Sequence, residues 1–215
     1  MSTAATINIQ NIATELKQWR FGQGRPQPEL IYPKSVFESR PDRNLSLKSL
    51  KLRKLLQYGE QNFGINLIYS RDTEPATERA VRRWFLARPG DQARPVAFGE
   101  KVALANGRGD SFLRYSRREF GINLAWSKEP VYEWKILGGA TGQPVRTGKD
   151  VAIFNMNVDG TGGPDGDFLI HLDRSVGCDI GWTTSPSWLD TLTRLAGVVI
   201  RDNSWRAAVL AALSV

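Results

Sequence analysis

The 215-residue sequence predicts an all-β protein, a closed barrel of three like units, and three observations carry that prediction. The first is an internal repeat: segments 55–67, 112–124 and 168–180 align without a gap, 57 and 56 residues apart. Phe63-Gly64-Ile65-Asn66-Leu67 recurs letter for letter as Phe120-Gly121-Ile122-Asn123-Leu124. Each copy then runs on to an aromatic and a hydroxyl residue, Tyr69-Ser70, Trp126-Ser127 and Trp182-Thr183. The second is a period of two: Phe120, Ile122, Leu124 and Trp126 fall on one side of an extended chain, which should face the core. The third is the spacing of short β-prone runs, such as 102–104 and 151–154, between Gly- and Asp-rich turns. Several short strands at close spacing, in three copies of about 50 to 57 residues, single out a threefold barrel.

From the N-terminus, Ile12, Leu16 and Trp19 stand at helical spacing before Gly22, so 10–22 reads as a short helix with a glycine stop. Residues 23–43 hold four prolines and no period, which predicts an extended arm. The units follow. Gly99-Glu-Lys-Val102-Ala-Leu104 resembles Gly148-Lys-Asp-Val151-Ala-Ile153, and Trp84-Phe-Leu is echoed by Trp134-Lys-Ile-Leu137 and weakly by Val198-Val-Ile-Arg201. Residues 155–167 lengthen the third copy, which places the insertion at a surface hairpin tip. Ser187-Trp-Leu-Asp190 has the form of a capping box, with Trp188, Leu192, Leu195, Ala196 and Val199 on one helical face. Segment 204–213 is nearly all apolar apart from Arg206. The expected division is an arm with a short helix over 1–44, a repeat domain over 45–202, and a helical or apolar tail over 203–215 packing on the same domain. Oligomerisation or membrane docking by that tail remains the alternative.

This layout resembles the β-trefoil, the fold of ricin-B-type lectins, fascins and agglutinins, in which three four-stranded units form a six-stranded barrel capped by three hairpins. The resemblance spans about 45–201. Gly-x-x-Val-Ala-Leu followed by Phe-Leu-Arg-Tyr is nearer to the fascin-like and agglutinin-like units, and the Gln-x-Trp signature of the ricin type is absent from all three copies. The resemblance implies a non-catalytic module that binds a carbohydrate or glycoconjugate.

Composition excludes several classes. Apolar residues make up 41% and the chain has seven Trp, too rich for a disordered polymer. No apolar run approaches the roughly 20 residues of a membrane-spanning helix, and Met1 to Gln10 lacks a basic segment leading into an apolar one. A cytoplasmic protein, or one released without a classical signal peptide, is expected. Cys178 is the sole cysteine, so no internal disulfide forms, and with one histidine no common zinc site can be built. The net charge of +7 is mostly N-terminal: residues 1–58 hold ten basic against four acidic side chains, and residues 101–215 hold thirteen against twelve.

The candidate ligand-binding residues are those the repeat makes equivalent. Asn66, Asn123 and Asp179 hold one place in three copies, opposite the core-facing set, where they either bond sugar hydroxyls or brace the backbone of the turn before them. Tyr58, Tyr115 and His171 form a second equivalent set of rings, structural or ligand-stacking. Tyr69, Trp126 and Trp182 fall with the core, and sugar stacking on them is the alternative. Cys178 aligns with Ile65 and Ile122 and reads as a small buried hydrophobe. Two basic groups, Lys48, Lys51, Arg53 and Lys54, and Arg114, Arg117 and Arg118 beside Tyr115, either grip anions or form solvated faces. Asp159, Asp165 and Asp167 are weak candidates for a cation through oxygen ligands, against a plain glycine-rich hairpin tip. Arg108-Gly-Asp110 is an integrin-type tripeptide that a hairpin turn also explains. No cofactor is implied and no catalytic constellation is found. Glycan binding leads, docking to membrane or protein partners through the apolar tail and basic arm comes second, and polyanion or nucleic-acid binding third; a homo-oligomer is an open state.

Overall fold

The computed structural model describes residues 9–22, 27–38, 45–70, 82–91, 93–108, 111–119, 121–158, 166–175, 177–185, 188–190, 193–194 and 204–214. These form an all-β molecule with one curled, antiparallel, twelve-stranded sheet and a few short helices. The first four strands are β1 (Trp19–Gly22), β2 (Ser46–Ser49), β3 (Leu55–Tyr58) and β4 (Leu67–Tyr69), each paired with the next. The same meander is made by β5 (Trp84–Ala87), β6 (Lys101–Asn106), β7 (Ser111–Tyr115) and β8 (Leu124–Ser127). It is made again by β9 (Trp134–Leu137), β10 (Asp150–Asn155), β11 (Asp167–His171) and β12 (Ile180–Trp182). β1 also pairs with β10, β9 with β6, and a Leu45 to Trp84 bridge links the start of β2 to β5.

One bond recurs where the meanders meet. The indoles of Trp19, Trp84 and Trp134, each the first residue of its meander and fully buried, donate from Nε1 to the carbonyls of Leu169, Leu56 and Leu113, at 2.7 Å each. An indole has one polar atom, and burying it without an acceptor is costly, so each bond fixes the ring in one orientation. Trp19 corrects the reading of 10–22 as one helix. Helix α1 (Ile9–Leu16) ends at Leu16, and Trp19-Arg-Phe-Gly is a strand with Trp19 and Phe21 buried. Its period is two rather than 3.6, and it sits in the sheet instead of in an arm.

The main core is the concave interior, where Leu47, Leu56, Leu104, Leu113, Ile153 and Leu169 pack around the three indoles. A second cluster lies on the other face of β10 and β11. Ala152, Phe154, Phe168 and Ile170 pack there against Ile12 and Leu16 of α1, Trp188, and Val209 and Leu213 at the end of the chain. Helix α3 (Ser204–Ala212) thus covers the sheet together with α1. That explains why β10 and β11 read as continuous apolar runs: both of their faces are covered. Arg206, the one charge in the tail, is buried with its guanidinium 3.8 Å from the buried Asp167 carboxylate. A further short helix, α2 (Lys34–Glu38), packs beside β5. No described helix is long and apolar enough to cross a membrane.

Candidate functional site

The equivalent residues lie on three turns, between β3 and β4, β7 and β8, and β11 and β12. Their local structure follows from two residue types. Gly64, Gly121 and Gly177 have φ of +88°, +86° and +88°, a region that side-chain-bearing residues rarely adopt. Asn66, Asn123 and Asp179 then turn their Oδ1 back to accept the amides of Gln61, Arg118 and Arg174, at 3.1, 3.0 and 3.0 Å. The carboxamides and the carboxylate therefore brace the turn, the second of the two roles open to them. Replacing Asn123 with Ala is expected to lower the unfolding free energy by about 1 kcal/mol. Urea denaturation reads this directly, and a change inside the ~0.5 kcal/mol scatter of idle surface sites would contradict it.

The ring set is partly buried and pairs across the turns. Tyr58 packs on Trp126 with centroids 5.7 Å apart, Tyr115 on Trp182 at 6.2 Å, and His171 on Tyr69 at 6.5 Å. Tyr58 also accepts a hydrogen bond from Asn66 Nδ2 at 3.0 Å and lies under the Arg108 guanidinium, 4.4 Å from its ring centre. Arg108 in turn pairs with Glu60 at 3.1 Å. His171 Nδ1 stands 2.9 Å from the Asp179 carbonyl, to which the Tyr69 hydroxyl also donates at 3.3 Å. His171 Nε2 lies 3.1 Å from Asp173. Burial pushes the Tyr69 phenol above its ordinary range, so it stays neutral.

Cys178 belongs to the main core, as its alignment with Ile65 and Ile122 predicts. Burial, then the neighbouring Asp179, push its thiol up to about 12, so no thiolate forms at neutral pH. The turns carry rings, the Arg108 and Arg118 guanidinium groups, the His171–Asp173 pair and backbone carbonyls. Phe63, at the tip of the first turn, is 75% exposed, although its counterpart Phe120 carries the core-facing pattern in sequence. Phe120 itself is outside the described residues. The second turn abuts the first: Arg118 donates through its guanidinium to the Gly64 carbonyl at 3.2 Å, next to Phe63.

The two basic groups are on different hairpins. Lys48, Lys51, Arg53 and Lys54 lie on and between β2 and β3, with Lys51 over the Trp188 ring at 5.8 Å. Arg114, Arg117 and Arg118 are exposed on β7 and the turn after it. Asp159, Asp165, Asp110 and the end of the 155–167 insertion before Gly166 lie outside the described residues. Asp167 is no surface ligand: it is fully buried, it takes bonds from the Thr183 hydroxyl, the Thr184 amide and its neighbour Phe168, and Arg206 stands beside it.

Sequence reasoning passed over the residues that hold the ring set in place. Buried Gln18 accepts the His171 amide at 2.8 Å, and buried Glu133 accepts the Tyr115 amide and the Asn155 and Asn157 carboxamides, at 2.8 and 2.7 Å for the latter two. Their signal is position: each directly precedes an indole that opens a meander, as Gln18-Trp19 and Glu133-Trp134. No family model, curated protein or solved structure matches this chain with significance.

Proposed function

We propose that the chain is a β-trefoil that binds a carbohydrate or glycoconjugate at its turns without catalysing a reaction. The fold reading is supported by the pairing ring. β1, β2, β5, β6, β9 and β10 each meet the next and β10 meets β1, with β2 reaching β5 through the Leu45 bridge. The three indole bonds and the three braced turns recur at matching places around that ring.

The observation that carries the ligand class is Phe63. A hydrophobic ring 75% exposed, on a turn braced by Asn66 and touched by the Arg118 guanidinium, offers a flat face beside hydrogen-bond donors. The apolar C–H face of a sugar stacks on such a ring, and its hydroxyls accept from the adjacent cation. Docking of the apolar tail to a membrane is less favoured, because Val209 and Leu213 are already buried against the sheet. A glycan array run with the wild type and Phe63→Ala tests the reading. The wild type should retain a defined glycan set, and the variant, whose lost side chain is exposed, should keep its melting temperature and lose at least tenfold of the signal. An empty array, or equal signals from both proteins, would overturn it.

A further inference from the structure

We propose that a second site, a cleft sharing no residue with the turns, binds a small molecule carrying a phosphate or sulfate group. The cleft is open to solvent, has a volume of about 670 Å³ and lies where the α1–β1 junction, the β9–β10 connection and the start of β10 meet. Three cationic side chains line it: Lys17, Arg146 and Lys149. Arg146 and Lys149 stand three residues apart in the β9–β10 connection, and Lys17 is brought to them from the α1–β1 junction, 129 positions before Arg146. Among the described residues, none of the three is paired with a carboxylate. The acid at the rim, Asp150, is already held by Arg20, at 2.8 Å from Nε and 2.6 Å from the terminal nitrogen. The cleft therefore keeps a net positive charge, which draws an anion to it.

The walls are fixed in advance. Arg146 bridges to Leu30, and Pro144 bridges to Ala97. The Gly142 amide donates to the Phe98 carbonyl at 3.0 Å, and the Phe98 amide to Gln143 at 2.9 Å. The Gly138 and Thr141 amides donate to the carbonyls of Leu213 and Ser214, at 3.1 Å each, so the end of the chain fastens the floor. That floor admits no side chain at Gly139, where a Cβ would come within 2.4 Å of the Phe98 ring. At Gly138 a Cβ would meet the Lys17 stem at 3.1 Å, so the glycine lets the lysine lie across it.

The chemistry selects the ligand. A guanidinium forks two oxygens of a tetrahedral oxyanion, and two ammonium groups add positive charge that suits the monoanion of a sulfate ester and, more fully, the dianion of a phosphate ester. The volume is in the range of clefts that hold small organic ligands, well beyond a bare ion. Phosphate and sulfate esters share this chemistry, and the probes separate them. Isothermal titration at 50 mM salt would use inorganic phosphate, inorganic sulfate, glucose 6-phosphate, glucose 6-sulfate and glucose. At least one of the four anions should bind saturably and glucose should not, and Kd should rise at least fivefold at 300 mM salt. Arg146→Gln with Lys149→Gln should weaken that binding tenfold or more. Both side chains are exposed, and Lys149→Gln alone, weakening it at least threefold, serves if the double variant does not fold. No saturable binding by any anion, binding of glucose equal to that of its esters, or smaller losses in the variants would overturn the proposal. Phe63→Ala should retain this binding in full, so failure here and failure at the turns are read apart.

Discussion

Replacing Trp134 with Ala is expected to lower the unfolding free energy by about 3–5 kcal/mol, the usual cost of emptying a large aromatic site in a core. Trp134 is completely buried, its ring stacks on Trp182 with centroids 6.1 Å apart, and its Nε1 donates to Leu113. For a chain of this length each kcal/mol lowers Tm by roughly 2–4 °C, so the drop should be roughly 6–20 °C by calorimetry. Trp134→Phe isolates the hydrogen bond. It keeps most of the apolar volume, leaves the Leu113 carbonyl without its donor, and should cost about 1–3 kcal/mol. Because Trp19 and Trp84 make the same 2.7 Å bond from the same place in their meanders, their Phe variants should cost similar amounts. A Trp134→Ala protein melting within 2 °C of wild type would refute this account of the core, at roughly 2–4 °C per kcal/mol.

Arg206→Met should be nearly as damaging, and its effect should depend on pH. Burial raises the Asp167 carboxyl above its ordinary value of 3.8, while Arg206 and the Thr184 and Phe168 donors pull it down. Below that ordinary value Asp167 is protonated in both the folded and the unfolded chain and its ionisation costs nothing. As pH rises, the unfolded chain releases its proton first and stability falls until the folded form ionises as well. Without Arg206 the folded carboxyl rises further, so the fall is deeper and extends to higher pH. The deficit of the variant relative to wild type should reach about 3–5 kcal/mol near neutrality, where a buried charge is left uncompensated. It should shrink towards pH 4.5, and adding Asp167→Asn should flatten the dependence. Denaturant curves of wild type and variants at matched pH measure this, and a deficit that is equal at both pH values would show that Arg206 acts by packing alone.

The repeat was legible because the turn tolerates few residues. A glycine at positive φ followed two places later by an Asn or Asp that caps the turn amide leaves little room for drift, so Gly64-Ile65-Asn66 and Gly121-Ile122-Asn123 stayed identical. The strand β1 was not legible. Trp19-Arg-Phe-Gly shares only its indole with Trp84-Phe-Leu-Ala and Trp134-Lys-Ile-Leu, and Trp19 prolongs the helical spacing of Ile12 and Leu16. Asp167 read as a weak oxygen ligand because its partner, Arg206, arrives from a helix 39 residues further on, beyond the repeat region. The candidate ligand residues were found as a set, but Asn66, Asn123 and Asp179 are kept by the demands of their own turns. Their identity therefore carries little information about a ligand. The cationic cleft was not legible as a site: Arg146 and Lys149 stand three residues apart in sequence, but Lys17 joins them only after β1 has paired with β10.

That pairing sets an order for folding. Trp19 lies against Val151, and its indole bonds to Leu169, 150 positions later. On the ribosome β1 cannot acquire its second neighbour until the last meander has been made, and β6 likewise waits for β9, whereas β2 to β5, β7 and β8 find their partners among strands already synthesised. Contacts this distant in sequence slow the search for the native state. Until they form, the edge of β1 and the ring of Trp19 stay unsatisfied and exposed to other nascent chains.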